Sequence, residues 1–232
     1  MDDQDKSALL FGATGLVGSN LLHILLKSPR YSCVTIITRK NVLVSHPKLN
    51  QIIVADFSAL GDEKISCVYK VDDVFCCLGT TIKKAGSRER FWQVDYKYPL
   101  IAARQAQQCG AAQFLVVSAI GADPKSMFFY NRVKGELETA LAQINFPSLH
   151  IFQPSLLLGK RQEYRLGETV GAYASKLVSP FLVGGLKKYQ PIAASAVAYA
   201  MHQAASSETP GVNIHNSAQI AEVIRQCKEG FA

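Results

Sequence analysis

The sequence predicts an α/β chain built on a doubly wound parallel sheet, and three observations carry that expectation. Strand-length apolar runs alternate with helix-length patterns as far as Phe152, with no repeat and no low-complexity linker. The first run, Leu9-Leu10-Phe11, ends in glycines at every third position, Gly12, Gly15 and Gly18, and a helical pattern follows at once. Further on, Tyr130 and Lys134 stand four apart, so a helix there puts both on one face.

The segment Gly12-Ala13-Thr14-Gly15-Leu16-Val17-Gly18 reads as strand, tight turn, helix. Leu16, Val17, Leu21, Leu22, Ile24, Leu25 and Leu26 set the helical face, which ends near Ser28-Pro29. Glycines at such a turn let backbone N–H groups and the positive helix end approach a pyrophosphate. The spacing is GxxGxxG rather than GxGxxG, and its place after a strand and before a helix is the context a dinucleotide motif requires.

A second strand, Cys33–Thr38, ends in Arg39-Lys40. In dinucleotide folds this strand end meets the adenosine ribose, where an acid suits the 2′-OH of NAD and a cation suits the 2′-phosphate of NADP. Two cations and no acid favour NADP over NAD. A third strand, Gln51–Ala55, leads to Asp56-Phe57. That carboxylate either caps the next turn or holds the adenine amino group against an apolar wall. The fourth strand, Val74–Leu78, runs into Gly79-Thr80-Thr81, and these residues with Leu78 fit the ligand crevice at a central strand end. A long helix is expected from Glu89 to Gln108, which Pro99 kinks or breaks, with Cys109-Gly110 closing it.

The fifth strand, Gln113–Val117, precedes Ser118-Ala119 and a helix from Ser126 to Glu138 that carries Tyr130 and Lys134. A sixth strand, Leu149–Phe152, precedes Gln153-Pro154-Ser155. Beyond Gly159, helices are expected over Thr169–Leu182, Ile192–Ala205 and Ala218–Lys228, with a short strand at Val212–His215. The expected organisation is one NAD(P)-binding domain over residues 1–232, with 156–232 as its small, substrate-side C-terminal extension.

Composition narrows the function. Of 232 residues, 48% are hydrophobic and 19% charged, which fits a globular chain. No apolar run nears the roughly 18 residues that cross a bilayer. The acidic start, Met1 to Lys6, is unlike a secretory signal. Six cysteines without a CxxC pair read as free thiols of a reducing compartment, so a cytoplasmic location is expected. Five histidines lack ligand spacing, and no metal is expected. The net charge of +7 includes a cluster at Lys83, Lys84, Arg88 and Arg90. Without a nucleic-acid motif, it suits a solvated surface or an anionic cofactor or substrate, and no nucleic-acid partner is expected.

These stretches together resemble the short-chain dehydrogenase/reductase superfamily in its atypical branch, with GxxGxxG and YxxxK. More narrowly they resemble the Tat-interacting-protein-like group of small NAD(P)-binding proteins. The matching stretches are Phe11–Gly18, Cys77–Thr81, Gly121–Asp123, Tyr130 with Val133–Glu136, and Pro154–Gly159. The resemblance runs nearly end to end. It implies a Rossmann fold and an NADP-dependent oxidoreductase acting on a small carbonyl or alcohol. Tyr130 would be the general acid/base. Lys134 would hold the nicotinamide ribose and lower the Tyr pKa from its ordinary value of about 10. Pro154 would flank the nicotinamide, and Thr80 and Thr81 would line the crevice.

Two positions depart from that pattern. The superfamily usually has Ser or Thr where this chain has Ala119; the hydroxyl stands one place earlier, at Ser118, on the opposite side of an extended segment. Ser118 remains the candidate third catalytic group. Gln153 replaces a common Arg. A weakened catalytic site would make the chain an NADP(H)-binding regulatory or scaffold protein with a protein partner. A nucleotide-sugar epimerase is the third reading, and it usually needs a larger C-terminal domain.

Overall fold

The computed structural model describes residues 5–159 and 189–229. The helix expected over Thr169–Leu182 lies outside them. Seven parallel strands form the central sheet: β1 (Lys6–Phe11), β2 (Tyr31–Thr38), β3 (Leu49–Ile53), β4 (Asp73–Cys76), β5 (Gln113–Val117), β6 (Ser148–Gln153) and, last in the chain, β9 (Gly211–Asn216). Their spatial order is β3-β2-β1-β4-β5-β6-β9. The chain leaves β1 toward one edge and resumes beside it at β4, toward the other. That reversal opens a crevice above the carboxyl ends of β1 and β4, where ligands of such sheets bind.

Side chains alternate between two cores. Ala8, Leu10, Val34, Ile36, Phe75, Leu115 and Phe152 pack with α1 (Leu16–Lys27) and α6 (Ala194–Ser207). Leu9, Phe11, Val74, Cys76, Phe114, Val116, Leu149 and Ile151 pack with α4 (Tyr98–Gln108) and α5 (Phe129–Ala142). Because both faces are covered, the strands read as continuous apolar runs. The stretch expected as a helix from Ile192 begins instead with β8 (Ile192–Ala193), which pairs with β7 (Leu157–Leu158) before α6 starts. Small residues on α6, among them Ala194, Ala198, Ala200, Ala204 and Ala205, are buried in the core it shares with α1. A last helix, α7 (Ser217–Glu229), follows β9. No helix among the described residues is long and apolar enough to cross a membrane.

The long helix expected after β4 is a composite. α2 (Ile82–Ala85) precedes α3 (Arg88–Trp92), a π-turn over Gln93–Lys97, and α4. Pro99 explains the π-turn. It has no N–H, and its ring crowds the carbonyl four residues back, that of Asp95. Widening the helix there relieves the clash and turns Asp95 inward, to 1% exposure.

At the opposite end of the strands, buried polar groups pin α6 to the sheet. Asp73 accepts from Tyr31 Oη (2.7 Å) and Gln113 Nε2 (2.9 Å). Arg30 donates to the Ala205 carbonyl (3.0 Å) and pairs with Glu208 (2.6 Å).

A second buried polar chain crosses from β6 to β9. Ser148 Oγ donates to the Thr209 carbonyl (2.6 Å), so His150 Nε2, 2.9 Å from that hydroxyl, must be the donor to it. His150 Nδ1 is then the acceptor for His215 Nε2 at 3.0 Å. The relay holds only while the His150 imidazole is neutral, because a protonated Nδ1 cannot accept. Burial, followed by the neighbouring His215, pulls the His150 pKa down to about 4 from its ordinary 6.5. The unfolded chain therefore takes up a proton before the folded one does. Stability is expected to fall with pH from about 6.5 to about 4, by roughly 3 kcal/mol, and no further from this group below that. Urea midpoints across that range test it, and His150→Leu should shrink the acid limb.

Candidate cofactor and catalytic site

The glycine turn sits at the carboxyl end of β1, against β4. Gly12 has φ +78°, and a Cβ there would collide with the Cys77 carbonyl oxygen. A Cβ on Gly18 would strike the Gly12 carbonyl, so helix and strand meet closely only with glycine at both. The Gly15 amide donates to Gly12 O at 2.9 Å and closes the turn. Ala13 and Val17 are buried, Leu16 is half-buried and Thr14 is exposed. α1 starts without a side-chain cap and without an acid in its first turn, so its positive end is left for an anion. These features fit a dinucleotide pyrophosphate.

Arg39 and Lys40 are exposed at the end of β2. The Arg39 guanidinium lies over the Phe57 ring, 5.7 Å from its centroid. Asp56 does cap the next turn: its Oδ1 accepts from the Ser58 amide at 2.7 Å. Tyr98 Oη (3.0 Å) and Arg90 (3.2 Å) also donate to it. The Ser58 amide first, then Arg90 and Tyr98, hold the carboxyl well below the usual range against a smaller effect of burial. One lone-pair site on Oδ2 is left by these contacts, so capping does not rule out an adenine amino group.

Leu78 is buried, Gly79 exposed, and Thr80 and Thr81 half-buried above β4. The Thr80 amide donates to Asp95 Oδ2 at 2.9 Å, and Thr81 caps α2 through the Lys84 amide. Asp95 also pairs with Lys134 Nζ at 2.8 Å, both side chains at most 4% exposed. Burial opposes the Lys134 charge, but Asp95 and Tyr130 outweigh it and hold the ammonium above its ordinary range. Asp95 is not among the residues that spacing alone picks out. Its signal was an acid on the apolar stripe Phe91–Tyr98–Ala102, one turn before a proline.

α5 begins at Phe129, three residues later than expected, because Phe128 is extended. One turn above Lys134, Tyr130 is half-buried against Phe91, ring centroids 5.5 Å apart. One turn below Lys134, Glu138 accepts from Ser118 Oγ and from Gln153 Nε2 (2.8 and 3.0 Å). Burial pushes the Glu138 pKa up against these hydrogen bonds. Ser118 is therefore buried and bound to α5, while Ala119 occupies the next position. Gln153, where a common Arg would give Glu138 an ion pair, gives it a neutral donor. Pro154 is buried, and its carbonyl accepts from the Ile120 amide at 3.0 Å, tying the ends of β5 and β6 together.

Residues 8–130 match the model of the NAD dependent epimerase/dehydratase family. The chain belongs to that family. Among curated relatives, Protein HTATIP2 of Rattus norvegicus is 40% identical over 167 residues, covering 71% of this chain and 68% of that one. The protein named FMP52, mitochondrial, of Candida albicans is 34% identical over 194 residues, covering 82% and 84%. Among solved structures, MoeE5 in complex with UDP-glucose and NAD superposes with a TM-score of 0.66 at 17% identity, over 90% of this chain and 74% of that one. The last likeness is one of fold: this epimerase/dehydratase-family chain shares a Rossmann-like sheet with that protein. Membership makes the chain a nicotinamide-cofactor protein of the oxidoreductase-like kind.

Proposed function

We propose that the chain is an NADP(H)-dependent oxidoreductase of the atypical short-chain type, acting on a small carbonyl or alcohol. One observation carries this reading. α5 sets Tyr130 one turn from a buried Lys134 whose charge is fixed by Asp95, beside the crevice that the glycine turn and Gly79-Thr80 enclose. The turn from Gly12 to Gly18 would hold the pyrophosphate. Arg39 and Lys40 would take the 2′-phosphate, Asp56 and Phe57 the adenine. Leu78, Gly79, Thr80 and Thr81 would line the crevice, Lys134 would bind the ribose, and Pro154 would back the nicotinamide.

The nicotinamide, when bound, gives or accepts the hydride. The protein's part is the proton. Tyr130 Oη delivers it to the carbonyl oxygen in reduction and removes it from the carbinol in oxidation. Lys134, positioned by Asp95, keeps a positive charge beside that oxygen and favours the tyrosinate. Ser118 serves the site indirectly, through Glu138. The domain reading of residues 1–232, with 156–232 on the substrate side, and a cytoplasmic location belong to the same proposal. Fractionation of cells expressing the full chain tests the location, against the mitochondrial name carried by the Candida relative.

A second reading, an NADP(H)-binding regulatory or scaffold protein, draws support from one contact. Ser118 gives its hydroxyl to Glu138, and Ala119 has none to give a substrate. Turnover in Ala119→Ser but not in the native chain would favour it.

Cofactor choice has its own test. Arg39 is expected to make NADPH bind about ten- to a hundredfold more tightly than NADH, the contribution of a charge-assisted hydrogen bond. Titration at fixed salt measures it. Arg39→Asp should reverse the order, and equal affinities in the native chain would contradict the assignment.

A further inference from the structure

The basic cluster after β4 is divided by the fold. Arg90 turns to Asp56, on the adenosine side of the crevice. Arg88 turns to α5, where its guanidinium carbon stands 5.3 Å from the centroid of the Phe129 ring. Arg132, one turn along α5, covers the same ring at 5.8 Å. One phenyl ring thus carries two guanidinium groups. Phe91, fully buried, joins this pair to the reacting tyrosine: its ring is 5.7 Å from Phe129 and 5.5 Å from Tyr130.

Two cations that share one ring repel each other, and an anion beside them offsets that repulsion. Among the described residues neither makes an ion pair. Arg132 donates to the Ser126 carbonyl at 3.0 Å, which carries no net charge. The acid nearest Arg88 in sequence, Glu89, turns its carboxylate mainly to its own amide and to Ser87, and its attraction to Arg88 is the smallest influence on it. Exposed Lys83 stands on α2, the short helix that precedes Arg88. α5 starts beside the arginines with no side-chain cap and no acid in its first turn, adding the positive end of its dipole. Arginine forks suit a planar or tetrahedral oxyanion, which two of them can grip bidentately.

We propose that Arg88 and Arg132 form a subsite for an oxyanion, a carboxylate or phosphate, on the substrate whose carbonyl or carbinol meets Tyr130. The substrate class is then an anionic carbonyl or alcohol. The identity of the reacting group rests on the oxidoreductase reading; the anion preference does not.

The test uses the full chain saturated with NADP and matched pairs of probes. Benzyl alcohol is compared with para-hydroxymethylbenzoate and with para-hydroxymethylphenyl phosphate by calorimetry. The anionic members should bind about tenfold or more tightly than the neutral one, less so as salt is raised. Arg88→Gln/Arg132→Gln should erase that advantage while NADP affinity and the circular-dichroism spectrum stay unchanged. Arg88→Lys/Arg132→Lys should retain part of it. Carboxylate against phosphate affinity tells which oxyanion the subsite prefers. Equal affinity of neutral and anionic probes overturns the proposal, as does an advantage that survives in the Gln variant. Arginine-dependent binding to phosphatidylserine vesicles, without preference among the soluble probes, overturns it in favour of surface docking. Anion preference without oxidation of any probe would count against the oxidoreductase reading and leave the subsite standing.

Discussion

Tyr130→Phe is expected to lower turnover by about 10²- to 10⁴-fold while NADPH binds as before, the usual contribution of one general acid/base. The structure makes this a clean substitution. Tyr130 is half-buried and packs its ring on Phe91, a contact that phenylalanine keeps. Its hydroxyl makes no hydrogen bond among the described residues, so its removal breaks nothing in the resting fold. The loss should therefore fall on the chemical step and not on cofactor affinity or thermal stability. Stopped-flow single turnovers with NADPH in excess measure that step directly. An unchanged rate would place the proton elsewhere.

The second large effect concerns Lys134, and it falls on stability as well as on rate. Asp95 is 1% exposed and shares its carboxylate between the Lys134 ammonium and the Thr80 amide. Lys134→Ala removes the ammonium and strands a buried carboxylate. Breaking one side of such a pair costs about 3–5 kcal/mol. Urea unfolding of Lys134→Ala should show that loss, and Asp95→Asn placed on top should restore part of it, because an amide needs no counter-charge. Activity should stay low in both, since the proposed ribose contact and the proposed charge beside Tyr130 are gone in either case. A Lys134→Ala chain as stable as the native one would mean that the pair carries no stability.

Much of this was legible in the residues because it rests on local spacing. The strands are continuous apolar runs, and the glycine turn repeats every third residue. Tyr130 and Lys134 share a face by helical period alone. What was not legible depends on contacts between distant segments. The partner of Lys134 lies thirty-nine positions earlier, in a π-turn that Pro99 imposes, and helix periodicity does not describe a π-turn. Ser118 could be read as facing away from a substrate, but not as bound to Glu138, because that pairing needs β5 and α5 docked. The four cations after β4 read as one cluster, whereas the short α3 helix sends Arg88 and Arg90 to opposite sides. The expected start of α5 at Ser126 precedes the observed one at Phe129, because Phe128 stays extended.

In the proposed reaction a hydride leaves the cofactor and reaches a carbonyl held at Tyr130. The direct measurement is transfer of the label itself. NADPH deuterated at its transferable nicotinamide position is incubated with the native chain and a panel of anionic and neutral aldehydes, and the alcohols formed are read by mass spectrometry. One deuterium is expected at the carbinol carbon of an anionic product, with a rate of labelling that collapses in Tyr130→Phe. Tight NADPH binding with no deuterium in any alcohol would contradict the proposed reaction.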